Sequence, residues 1–136
     1  MSDENIKAKR PLSPHLQVYK LPFSAYMSIL HRATGAFLSI FGVLLLLAFC
    51  YTLMCGAECY DAFVGLLGTL IGRLFLFALS MCAFYHMFNG FRHLFWDSGK
   101  LFKIDNAQNA GAFVMLATAA AVLGYWYCAY YYVLMK

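Results

Sequence analysis

Charge is what this 136-residue chain has least of: Asp, Glu, Lys and Arg make up 12% of it, whereas hydrophobic residues make up 63%. With a mean hydropathy of +0.68, that scarcity excludes an ordinary soluble domain, whose surface needs about twice that charged fraction. Long polar stretches are also lacking, so there is no room for a soluble catalytic domain, a nucleotide-binding fold or an iron-sulfur motif. The first twenty residues lack a basic head followed by an apolar core and a small-residue cleavage site, so no cleavable signal is expected. Cys50, Cys55, Cys59, Cys82 and Cys128 have no metal-binding spacing supported by other ligands. A polar track across a whole bilayer is missing too, which argues against a transporter or channel.

What is present is three apolar runs, Ala33 to Ala57, Leu74 to Phe91 with a lead-in from Ala62, and Ala110 to Met135. Each is long enough to cross a hydrocarbon core of about 30 Å as a helix. The expected fold is an all-α membrane protein, a single domain of three transmembrane helices at about 26–55, 64–95 and 108–133. Residues 1–24 form a polar N-terminal segment on the inner side, and the first span serves as its own insertion signal. Lys7, Lys9, Arg10, Lys20 and Arg32 precede span one, and Arg92, Lys100 and Lys103 follow span two, whereas Glu58 and Asp61 mark the first connector. The positive-inside rule places the N-terminus inside and the C-terminus outside. The net charge of +4 reflects this asymmetry and points to no nucleic acid.

That topology gathers Ser28, His31, Arg32, His86, Arg92, His93 and Asp97 at the inner side. Ser28, His31 and Arg32 share a helix face, and so do His86 and His93, about 10 Å apart along the axis. Arg73 and Arg92 bracket span two and can snorkel to the two interfaces. His86 lies six residues inward of Arg92, roughly 9 Å deep, while His31 and His93 are expected near the headgroups. An ionisable, metal-competent side chain at depth is costly and points to function. Its helix neighbours Cys82, Ala83, Asn89 and Gly90 are small or short, leaving a slot for a second helix or a flat macrocycle. Imidazole is a common axial ligand of haem iron, and His31, Arg32, Arg92 and His93 stand where propionates need cations. From position alone, a histidine that hydrogen-bonds a neighbouring helix is an equal alternative.

Three motifs carry a resemblance: Arg10-Pro11-Leu12-Ser13-Pro14-His15-Leu16-Gln17-Val18-Tyr19, then Ser28-Ile29-Leu30-His31-Arg32-Ala33-Thr34-Gly35, then His86 to Asp97. In order and over essentially the whole chain, they resemble the cytochrome b large-anchor family of succinate dehydrogenases. The resemblance implies that His86 is an axial ligand of haem b, that Ser28 and Arg32 line a ubiquinone pocket, and that His31 contacts a propionate. It further implies a small membrane-anchor subunit supplying the second haem ligand, and a flavoprotein and an iron-sulfur subunit that hold FAD and the clusters. The expected function is the membrane anchor of succinate:ubiquinone oxidoreductase, surrounded by membrane lipid, in a bacterial inner membrane or, alternatively, the mitochondrial one. This chain alone would catalyse nothing. A fumarate reductase anchor, which runs the electrons the other way, and a structural anchor without haem are the rivals.

The remaining features read as structural. Gly68 and Gly72, and Ala117, Ala120, Ala121 and Gly124, suit close helix packing. Tyr125, Trp126, Tyr127 and Tyr130 to Tyr132 suit an outer aromatic belt. Cys55 and Cys59 fall on the outer side, where an oxidising compartment allows a disulfide. Asp97 either pairs with an arginine or lies on a proton route.

Overall fold

The computed structural model describes residues 19–101 and 103–134. The N-terminal segment through Val18, with its basic residues and first motif, and the two last residues lie outside the described residues. Helix α1 (Phe23–Phe37) starts after Pro22, whose fixed φ of −66° suits a helix entrance. A π-helical turn, Leu38–Gly42, joins it to α2 (Val43–Cys55). The hydroxyls of Thr34 and Ser39 fold back onto the Leu30 and Gly35 carbonyls at 2.8 Å each, so neither is left unpaired in an apolar surround.

The chain reverses at Gly56, whose φ of 114° is a conformation that side-chain-bearing residues rarely adopt. Cys55 and Cys59 form a disulfide across this bend. A 12-residue helix follows, α3 (Ala57–Gly68), about 18 Å long and too short to cross the bilayer. Thr69 then starts α4 (Leu70–Asp97) by accepting a hydrogen bond from the Gly72 amide at 3.1 Å. The helix expected over 64–95 is therefore two helices. Hydropathy alone runs continuously through the break, because Thr69 caps through one hydroxyl without interrupting the apolar run. A Cβ on Gly72 would stand 2.6 Å from the Leu67 Cα, so a glycine is needed where the α3 end meets α4. Gly68 and Gly124 face open space.

Helix α5 (Ile104–Leu134) closes the bundle. The link before it is held by the Trp96 indole, which donates to the Leu101 carbonyl at 3.1 Å. Among the described residues every regular element is a helix, and three helical runs are long and apolar enough to cross a membrane: Phe23–Cys55, Leu70–Asp97 and Ile104–Tyr132. Span one begins earlier than hydropathy suggests and span three takes in Asp105 and Asn106, because a helix extends past its apolar stretch into the headgroup layer.

The three spans meet around Met27, Tyr85 and Val114. Gly111 makes the crossing of α5 over α1 close, since a Cβ there would stand 2.7 Å from the Met27 sulfur and from the Phe23 ring. Tyr85 donates its hydroxyl to the Met27 carbonyl at 2.8 Å. At the far end Trp126 donates to the Ser80 hydroxyl at 3.0 Å. Of the most apolar stretch in each span only 6%, 11% and 17% is buried within the chain. Most of each helix is thus left to lipid or to other subunits, as expected where no water drives helices together.

Candidate functional site

One side of α4 carries a stack of imidazoles. The His31 and His86 rings lie 4.0 Å apart and nearly parallel, at 7°, and His93 stands 5.1 Å from His31. His31 therefore packs beside both rings, two turns into α1 from its start at Phe23.

Two contacts set the orientation of His86. Its Nδ1 lies 3.1 Å from the His31 carbonyl oxygen, which can only accept, so Nδ1 bears the proton and Nε2 keeps a free lone pair. Thr34 Oγ1 lies 3.5 Å from the same nitrogen. The ring then rests against Gly35, where a Cβ would come 2.8 Å from His86 Cε1. Gly35 and Thr34 belong to the second motif, and hydropathy gives neither a role. The available signal was Gly35 one turn beyond His31, on the face that meets His86.

These residues fit a haem. Its iron needs one imidazole with a free Nε2 and an anchored Nδ1, which is the state of His86. The buried Nδ1 of His31 has no partner among the described residues. Among the described residues no three His, Cys, Asp or Glu side chains converge as a metal site, and a haem iron does not require such a cluster. His31, His86 and His93 are all half-buried, so their flank remains open to another chain.

Arg92 occupies a different flank. It is 3% exposed, its Nη1 donates to Asn89 Oδ1 at 3.2 Å, and its guanidinium lies over the Trp96 ring at 4.1 Å. Rather than snorkelling to water it turns in between α4 and α5, because six residues after His86 is about 120° away around the helix. The structure thus brings His31 and His93 to His86 and sets Arg92 apart. Asn89, read as a small neighbour of His86, is wholly buried beside Arg92.

Ser28 and Arg32 are adjacent, with Arg32 Nε donating to the Ser28 carbonyl at 3.4 Å. Arg32 is exposed and Ser28 half-buried, so both remain available on the outer side of α1. Asp97 lies at the same end of the bundle, on a cavity of about 760 Å³ lined also by Ser24, Trp96 and Gln108.

A family model described as the succinate dehydrogenase/fumarate reductase transmembrane subunit matches residues 7–125. The chain is 37% identical over 123 residues to the succinate dehydrogenase cytochrome b556 subunit of Rickettsia felis, covering 90% of this chain and 95% of that protein. It is 38% identical over 121 residues to the cytochrome b560 subunit of Reclinomonas americana, covering 85% and 82%. To the human mitochondrial succinate dehydrogenase cytochrome b560 subunit it is 38% identical over 128 residues, covering 90% and 73%.

Proposed function

Because this chain belongs to the succinate dehydrogenase/fumarate reductase transmembrane subunit family, we propose that it is the haem b anchor of a succinate:ubiquinone oxidoreductase. In this reading it holds the flavoprotein and iron-sulfur subunits, which carry FAD and the clusters, to a bacterial or mitochondrial inner membrane. The observation that carries the proposal is the anchored His86 ring, with Nδ1 on the His31 carbonyl and Cε1 against Gly35. A bound haem would supply one-electron chemistry. His86 would hold its iron through Nε2, and a small anchor subunit would provide the second ligand. His31, His93 and Arg32 meet the propionates. Arg92 has no part in this arrangement, since it faces the other side of α4.

Ser28 and Arg32 form this chain's share of the ubiquinone-reduction site. The Ser28 hydroxyl hydrogen-bonds a quinone carbonyl, and Arg32, one turn further along α1, stabilises negative charge that develops on that oxygen. The relatives named above are succinate dehydrogenase subunits, which favours succinate oxidation over fumarate reduction as the working direction.

Two measurements on the purified complex test this reading. The dithionite-reduced spectrum should show a b-type band that His86→Leu abolishes or shifts, and an unchanged low-spin band at full haem content would refute the ligand. Cysteine labelling, after removal of the native cysteines, should place position 103 inside and position 58 outside. The opposite labelling would remove the shared inner-side geometry.

A further inference from the structure

Arg92 is a buried cation whose partners within the chain do not complete its hydrogen bonding. Its Nη1 is used by Asn89, and its plane is covered by Trp96. Nε and Nη2 are buried with no partner among the described residues. These two nitrogens form one edge of the guanidinium, with parallel N–H groups spaced to meet two oxygens of a single phosphate or carboxylate. A charge left so in an apolar surround is expensive, which implies that an anion reaches it.

Arg92 lines a cavity of about 640 Å³ between α4 and α5. Among the described residues no carboxylate lines it. Its lining is mostly apolar, with Arg92, Asn106 and Asn109 as the polar members. Asn106 and Asn109 lie in the first turns of α5, level with the loop end of the bundle, and share a wall with Arg92 and Phe95. Phe88 and Phe113 line the part further along both helices, toward the bilayer interior. Asn106, Asn109 and Phe113 follow at three- and four-residue steps, so they present one continuous stripe.

A cation and two amides at headgroup depth, above a wall of aromatic rings, match an amphiphile with an anionic head and acyl chains. We propose that this cavity seats the headgroup and upper acyl chain of an anionic phospholipid, with the free edge of Arg92 on its phosphate. Basic pockets between transmembrane helices bind anionic lipids by this combination. Arg92 then anchors α4 to α5 through a lipid, on the flank of α4 opposite to the open imidazole stack. The inference does not depend on haem or quinone binding.

Delipidated, intact complex titrated with phosphatidylglycerol or phosphatidylcholine and examined by native mass spectrometry tests it. Wild type should retain a phosphatidylglycerol about tenfold more tightly than phosphatidylcholine, and Arg92→Gln should remove that preference. Ala110→Trp fills the cavity while leaving Arg92 in place, and should lower the bound phosphatidylglycerol by one per complex. It decides the question if Arg92→Gln prevents assembly. Inorganic phosphate, which lacks acyl chains, should not displace the lipid at equal concentration. Equal retention of both lipids by wild type, or unchanged retention in Ala110→Trp, would overturn the proposal. So would displacement by free phosphate, since the apolar wall would then contribute nothing.

Discussion

The two flanks of α4 hold polar groups of equal cost in opposite ways. On one, His31, His86 and His93 lie in a half-buried stack in which a backbone carbonyl orients His86. On the other, Asn89 and Arg92 are enclosed beside α5, and the guanidinium keeps two nitrogens unpaired. A ligand shared with another subunit requires the first arrangement, because a ring enclosed by its own chain could not reach across an interface. The second encloses its charge, and there the proposed lipid phosphate would complete the guanidinium's hydrogen bonding. In a membrane both are costly, so the contrast separates a flank built for a partner from one built to close the bundle.

The largest expected effect breaks this contrast at Gly35. Because a Cβ there would press on His86 Cε1 at 2.8 Å, Gly35→Leu should displace the ring and lower or shift the reduced b-type band in assembled complex. The cost of such overpacking is about 1–3 kcal/mol, and Gly35→Ala should give a smaller shift of the same sign. Gly124→Leu meets nothing within 4 Å and should leave the spectrum unchanged. If the two leucine variants gave the same spectrum, Gly35 would not be holding the imidazole.

Much of this was legible beforehand. The three spans follow from the length of the apolar runs, and His86 from the rarity of an ionisable group within them. The seat of His31 beside both His86 and His93 was not legible, because spacing along one helix does not show where along its neighbour it packs. Nor was the burial of Arg92. Basic residues near helix ends usually reach for water, and only the rotation of α4 against α5 shows that this one turns inward. The division at Thr69 escaped for a related reason, since a side-chain cap leaves hydropathy unaltered. The contrast between the flanks is thus a matter of helix rotation, to which composition and span length are blind.

An intermediate effect should come from α1, on the side away from this contact. Ser28→Ala removes one hydrogen bond, worth about 0.5–1.5 kcal/mol, so succinate-driven quinone reduction should fall by up to about tenfold. Arg32→Leu removes a charge as well and should cost more. In both variants succinate oxidation by an artificial acceptor that draws electrons from the soluble subunits should persist. Ser28→Ala should keep a normal haem spectrum, while Arg32→Leu shifts it through the propionates. Unaltered quinone reduction in both, at normal assembly, would assign these residues to the interface alone.

The smallest effect is expected at Tyr85, which joins the flanks by reaching from α4 to the Met27 carbonyl. That carbonyl lies within α1, where the helix supplies its own amide donor one turn on. Tyr85→Phe therefore leaves no orphaned acceptor and keeps the ring in the core. Only the net value of one interhelical hydrogen bond is lost, about 0.6 kcal/mol in a membrane protein. Heating the purified complex while following its haem band should show a loss at slightly lower temperature. The band itself, and quinone reduction, should match wild type at low temperature. A spectral shift as large as that of Gly35→Leu would mean that the Tyr85–Met27 contact, and not the seat on Gly35, holds α1 at the level that stacks His31 on His86.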